Sequence, residues 1–201
     1  MRPSALDELD VLGKQLAAGK VVAVPTDTVY GLAVDPRAPG AVDRVFALKQ
    51  RPEHLQLPVL IADPTGLVDL ADATPAVQRL ISRYWPGPLT LVLPRRSGVV
   101  FDLGGDPATI GVRCPGNPLL RGLLRRTGPL AVTSANRHGE VPLHTAAEVR
   151  EHFGTGVVAV LDGGRCDGRP STVISLIGTR ASCLREGTLS FAELAAIAAE
   201  S

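Results

Sequence analysis

Apolar positions recur along this chain in two rhythms, of about 3.6 and about 2 residues, and the places where one gives way to the other outline its elements. Leu6, Leu9, Leu12 and Leu16 fall on one helical face that runs to Gly19, with Ser4 and Asp7 spaced as a helix-opening capping box. An apolar run then starts at Val21 and stops at Pro25, delivering Thr26, Asp27, Thr28 and Tyr30 into a turn at a strand end. Val42, Val45, Phe46 and Leu48 predict a helix from Ala41 to Gln50 that leaves Lys49 and Arg51 at its C-terminal end. Leu57 to Ala62 reads as a short strand, and Thr74-Pro75 opens a helix that must stop near Tyr84, because Trp85-Pro86-Gly87-Pro88 cannot continue it. Strands follow at Leu89 to Leu93 and Thr109 to Cys114, a helix at Pro118 to Arg126, and a strand at Leu130 to Thr133. A helix from Ala146 to Phe153, strands at Val157 to Leu161, Thr172 to Ile177 and Ser182 to Arg185, and a helix after Ser190 complete the series. Interleaved in this way, the elements predict an α/β chain of mixed α+β character, a mixed sheet covered by helices. The glycine-bearing stretch from Arg95 to Ala108 follows neither rhythm and reads as a loop, a candidate lid.

Composition narrows the function classes. With 201 residues, 45% hydrophobic and 20% charged, the chain fits one folded, soluble domain over residues 1–201. A formal charge of +1 exerts no global pull toward nucleic acid. Arg121, Arg125, Arg126 and Arg137 lie close in sequence, as either the solvated side of a helix or a local basic face. Cys114, Cys166 and Cys183 show no CxxC spacing, which argues against a disulfide framework or a zinc site and for reduced thiols in the cytoplasm. No apolar stretch reaches the roughly 18 residues of a membrane span, and the N-terminus lacks a signal-peptide pattern.

Two nucleotide signatures fail. Gly19-Lys20 lacks the upstream glycine of a P-loop, and Gly154 to Ala159 spells GxGxxA but follows a helix and enters a strand, the reverse of a dinucleotide-binding turn. Lys49 and Arg51, two residues apart, suit either a solvated helix end or a pair of donors aimed at one polyanion. Ser134 and Asn136 follow a strand, as Thr26 to Tyr30 do, and form either a local side-chain turn or a binding loop; as a loop they would face the first turn across a crevice. Arg113 shares a strand face with Thr109 and Gly111, pointing to solvent or, in a crevice, toward a carboxylate. Trp85 to Thr90 reads as an architectural turn with the only tryptophan packed beneath it.

Taken in order, Val21 to Leu32, Lys49 to Pro52, Trp85 to Thr90, Thr133 to Asn136 and Ser171 to Val173 resemble the YrdC-like family of threonylcarbamoyl-AMP synthases. The resemblance implies a YrdC-like twisted mixed sheet flanked by helices, with an open ligand crevice. It also implies a nucleotidyl transfer in which L-threonine, bicarbonate and ATP give threonylcarbamoyl-AMP and pyrophosphate, serving the threonylcarbamoyladenosine modification of tRNA. Lys49 and Arg51 would be catalytic. ATP would lie on these two with Thr109, Ser134, Asn136 and Arg185, threonine would lie on Thr28, Arg113 and Ser171, and Mg²⁺ would accompany the nucleotide. A downstream threonylcarbamoyl transferase would take the product, tRNA contact being weak or indirect, with no membrane involved. The sequence departs from the family pattern at Leu55 to Pro58, at Leu60, where some members carry a histidine, at Thr133 and at Glu186, where prolines are common. Two rivals stand beside this reading: an RNA-binding maturation factor of the same fold, disfavoured by an aromatic content of only 3%, and a carbamoyl-transfer domain of larger hydrogenase-maturation proteins.

Overall fold

The apolar run after Val21 turns back on itself. Strands β1 (Val22–Val24) and β2 (Gly31–Val34) form an antiparallel hairpin with Val24 opposite Gly31, so the polar turn from Pro25 to Tyr30 is its loop. The sequence pattern hides β2, because four consecutive apolar residues show no alternation. Strands β3 (Val59–Leu60), β4 (Leu89–Pro94), β5 (Thr109–Arg113), β6 (Leu130–Ser134), β7 (Ala159–Val160), β8 (Thr172–Ser175) and β9 (Ser182–Arg185) follow. This computed structural model describes residues 5–178 and 180–200, and among them all nine strands join one sheet in the order β7-β1-β2-β6-β3-β5-β4-β8-β9. Pairs β1–β7, β3–β5 and β4–β8 are parallel and the rest antiparallel, the mixed sheet that the interleaving predicts.

Helices α1 (Ala5–Ala17), α2 (Ala41–Lys49), α3 (Pro75–Tyr84), α4 (Pro118–Thr127), α5 (Ala146–Phe153) and α6 (Phe191–Ala199) cover the sheet. Several begin where side chains satisfy the first amides: Thr74 Oγ1 accepts from Val77 N, Asn117 Oδ1 from Leu119 N and Leu120 N, and Thr145 with Glu148 closes a full capping box. Ser4 and the side chain of Leu6 lie outside the described residues. At α6 the carboxylate of Glu186 accepts from Phe191 N at 3.3 Å, a contact that a proline at 186 would lack. Two 3-10 turns, Pro64–Asp69 and Gly154–Gly156, stand where no element is expected.

The two sheet faces are filled unequally. One packs Leu89, Leu91, Leu93, Ile110, Val112 and Ile174 against α2, α3, α5 and α6. On the other, Leu9, Leu12 and Leu16 of α1 and Leu120, Leu123 and Leu124 of α4 cover Val22, Val24, Ala33, Leu60 and Val132, which belong to β1, β2, β3 and β6. No residue of β4, β5 or β8 belongs to this second cluster. That half of the face remains uncovered, and the crevice opens over it. The stretch from Arg95 to Ala108 is a loop, as expected, and is fastened where Leu103, 1% exposed, accepts from Leu57 N at 2.8 Å and where Arg95 Nη1 donates to Phe101 O at 2.6 Å.

Candidate active site

Over the bare half of the sheet lies a crevice of about 590 Å³. Thr90 and Val92 of β4, Thr109, Gly111 and Arg113 of β5, and Val173 of β8 alternate onto its floor, while their neighbours point into the core. Thr28, Arg51, Ser134, Ser171 and Arg185 line its walls. Seven of the sequence-predicted site residues therefore meet in one cavity, and two, Lys49 and Asn136, lie beneath it.

Lys49 is 1% exposed, and its ammonium faces Ser134 O and Asn136 O at 2.5 Å each and Asn136 Oδ1 at 3.2 Å. Three N–H groups meet three oxygens, so the ammonium is fully occupied by the turn. Asn136 Nδ2 donates to Arg137 O at 2.7 Å and Glu140 O at 2.8 Å, which fixes the amide with Oδ1 toward Ser134. Ser134 Oγ then donates to that Oδ1 at 2.6 Å. Burial, reinforced by Arg51, pulls the Lys49 ammonium down to a pKa of about 7, with Glu140 opposing.

The two polar turns do not face each other across the crevice, as the sequence suggests; they lie side by side. Strands β2 and β6 pair directly, Gly31 opposite Ser134, and Ala135 N donates to Tyr30 O at 2.7 Å. The unrecognised strand β2 causes this difference, since it brings the chain back alongside β6. Within the first turn, Thr26 Oγ1 donates to Val29 O at 2.6 Å, accepts from Thr28 N and Val29 N, and stands 2.8 Å from Thr28 Oγ1.

Arg113 is held from three directions. Its Nε donates to Gly87 O at 3.0 Å, Nη1 to Thr28 Oγ1 at 3.3 Å and Nη2 to Asp27 Oδ1 at 2.7 Å. Burial lowers its pKa while Asp27 opposes the shift. Two of its five N–H groups remain for a ligand. The Trp85 to Thr90 turn is architectural as expected, Trp85 Nε1 donating to Leu89 O at 2.7 Å, but it also supplies the Gly87 carbonyl that aims Arg113. Neither Gly87 nor Asp27 is evident from sequence as a partner of Arg113, because both contacts span more than twenty residues.

At the other end, Arg51 Nε donates to Leu55 O at 3.0 Å, and Arg185 donates from Nε to Ser171 O and from Nη2 to Ser171 Oγ, both at 3.1 Å. Burial lowers the pKa of each, and neighbouring cations lower them further, Arg185 acting on Arg51 and Arg113 on Arg185. Thr90 Oγ1, 3.0 Å from Ser171 Oγ, also reaches this end; alternation within Leu89 to Leu93 was the signal that could have revealed it. Leu55, Gln56, Pro58 and Leu60, where the sequence departs from the family pattern, all line the cavity. Arg121 and Arg126 do not form a free basic face: they pair with Asp63 at 3.8 Å and Asp10 at 3.0 Å. No helix among the described residues is long and apolar enough to cross a membrane.

Comparison with known proteins places this geometry. A family model named Sua5_yciO_yrdC and described as telomere recombination matches residues 14–187. The threonylcarbamoyl-AMP synthase of Idiomarina loihiensis is 40% identical over 146 residues, covering 71% of this chain and 78% of its own. That of Bacillus subtilis is 36% identical over 203 residues, covering 95% and 58%. Pyrococcus abyssi Sua5, solved in complex with L-threonine, superposes with a TM-score of 0.89 at 34% identity over 98% of this chain and 58% of that one. The chain thus spans little more than half the length of the Bacillus and Pyrococcus proteins. Because the family match spans from Lys14 in α1 to Gly187, its range takes in every residue that lines the crevice, and the chain belongs to the YrdC/Sua5-like threonylcarbamoyl-AMP synthase family.

Proposed function

We propose that the protein is an L-threonylcarbamoyladenylate synthase, converting L-threonine, bicarbonate and ATP into threonylcarbamoyl-AMP and pyrophosphate for the threonylcarbamoyladenosine modification of tRNA. The observation that carries this reading is the distribution of charge in one cavity: a buried, backbone-aimed arginine, Arg113, then Arg185, whose charge it disfavours, and then Arg51, whose charge Arg185 disfavours in turn. Such a cavity suits a small carboxylate joined to a polyanion. In this reading Arg113 receives the threonine carboxylate with Thr28 and Ser171 alongside, and Arg51 and Arg185 neutralise phosphate oxygens, with Thr109 at the nucleotide. The threonine nitrogen bonds to the bicarbonate carbon with loss of water. An oxygen of the resulting carbamate then attacks the α-phosphorus as the bond to pyrophosphate breaks.

Arg51 and Arg185 stabilise the charge that builds on the departing oxygens, and the crevice keeps the labile carbamate from bulk water. Lys49 and Asn136 act as positioning residues, holding the Ser134 turn from beneath. The described residues hold no cluster of three acidic, histidine or cysteine side chains suited to a metal. Mg²⁺ would therefore enter on the triphosphate, where it shields phosphate charge. Residues 1–201 act in this reading as one YrdC-like domain, working in the cytoplasm and passing the product to a threonylcarbamoyl transferase.

The test is pyrophosphate release from ATP with threonine and bicarbonate each added or withheld. Release is expected only when both are present. Equal release without threonine overturns the reading.

A further inference from the structure

Arg51 stands on a segment with little structure of its own. From Arg51 to Pro58 the chain forms neither helix nor strand, and the backbone bond internal to it runs from Leu55 N to Pro52 O at 3.0 Å. The aim of Arg51 is set by that same segment, since Nε donates to Leu55 O at 3.0 Å and Nη2 to Gln56 O at 3.5 Å. These bonds work against the like charge of Arg185, which pushes the guanidinium away from the crevice.

The segment is held from outside, by the stretch that follows β4. Gly105 N donates to Glu53 O at 2.9 Å and Leu57 N to Leu103 O at 2.8 Å. The approach is so close that a Cβ on Gly104 would stand 2.5 Å from Glu53 O, and one on Gly105 2.9 Å from Gln56 Cβ. Between the two backbone bonds the side chain of Gln56 makes a third fastening, Nε2 donating to Asp106 O at 2.9 Å and to Thr109 O at 3.0 Å. Both partners are carbonyls, which only accept, so the amide has one possible orientation and both its N–H groups are spent. Thr109 opens β5, the strand that presents Arg113.

We propose that Gln56 is a positioning residue for the polyanion end of the crevice. By stapling its own segment to Asp106 and Thr109 it fixes the two carbonyls that aim Arg51, and with them the spacing between Arg51 and Arg113. This rests on the threonylcarbamoyl-AMP reading and deepens it. Gln56 lies where the sequence departs from the family pattern, so the staple is a device of this chain. The stretch from Arg95 to Ala108 is then a brace for Arg51, with Gln56 as its adjustable point: the flanking bonds are made by the backbone, and only this one depends on a side chain.

A cycle of variants, read by calorimetry with ATP and with L-threonine, tests this. Gln56→Met keeps the length and removes the donors, and Gln56→Leu is a second apolar replacement; the flanking backbone bonds should let both fold, which a thermal melt checks. Each should weaken ATP about five- to tenfold, the range of a neutral hydrogen bond or two, and leave threonine within about twofold. In an Arg51→Lys background a mobile point charge replaces the fork that the carbonyls hold. There Gln56→Met should change ATP affinity by less than about twofold. The same loss in both backgrounds would show that Gln56 acts apart from Arg51 and would overturn the proposal. So would unchanged ATP affinity in either Gln56 variant, or a threonine loss as large as the ATP loss, which would mean general loosening of the crevice. The functional reading fails separately, on pyrophosphate release without threonine, because the cycle is read from binding and needs no turnover.

Discussion

At the scale of single residues, Lys49 shows how a buried cation ties stability to pH. The folded protein gives up this proton at a pKa of about 7, because burial and Arg51 disfavour the charge, whereas a free lysine keeps it to 10.5. Between those values the unfolded chain binds more protons, so folding stability contributed by Lys49 rises with pH. Catalysis should move the other way. A neutral amine has two N–H groups for three oxygens and turns a lone pair against one of them, which loosens the Ser134 turn. Urea unfolding of the parent and of Lys49→Met at pH 7 and pH 10 checks this: the parent should gain stability relative to the variant as pH rises, while its pyrophosphate release falls. A constant gap between the two proteins would show that the three oxygens hold the proton throughout. The sequence marks Lys49 but misleads about its target, since a KxR at a helix end looks like two donors to one anion. Only the register of β6 shows that the lysine is enclosed and the arginine is not.

At the scale of elements, the turn after α3 is the clearest case of architecture aiming chemistry. A Cβ on Gly87 would stand 2.4 Å from Tyr84 O, so Gly87→Ala forces the turn to move. Gly87 N donates to Cys114 O at 2.9 Å and Gly87 O accepts from Arg113, and both bonds move with it. We expect a stability loss of about 1 to 3 kcal/mol, as for other overpacked sites, together with a weaker grip on threonine. Thermal melts and calorimetry on one preparation measure the two together; intact threonine affinity would show that Asp27 and Thr28 suffice to aim Arg113. Helices were legible in the sequence because their caps and stops are local: Thr74 with Pro75, Asn117 with Pro118, and Thr145 with Glu148 are all read within four residues. Strand β2 and the shortened β3 were not, because strand limits depend on which partner arrives, and Val59 and Leu60 pair with both β5 and β6. The site was legible as a set of residues. Its arrangement was not, because side-by-side turns and hidden supports are properties of strand order.

At the scale of the whole molecule, one half of a sheet face is sealed by α1 and α4 and the other half is left to a ligand. The cations above that bare floor are held by main-chain oxygens: Arg51 by Leu55 O, Arg113 by Gly87 O and Arg185 by Ser171 O. Their like charges are thus fixed in proximity before any anion arrives, and an anion that bridges them relieves the repulsion. ATP or inorganic pyrophosphate should raise the melting temperature, by an amount equivalent to about 2.7 kcal/mol at a hundred times the dissociation constant. The gain should shrink as sodium chloride is added. A salt-independent shift would place the ligand away from the arginines. The bare half of the sheet also bears on the protein's lifetime. A fold completed by its cargo spends more time open when nucleotide is scarce, and proteases cleave what is open. Digestion of the purified protein should therefore slow as ATP is added.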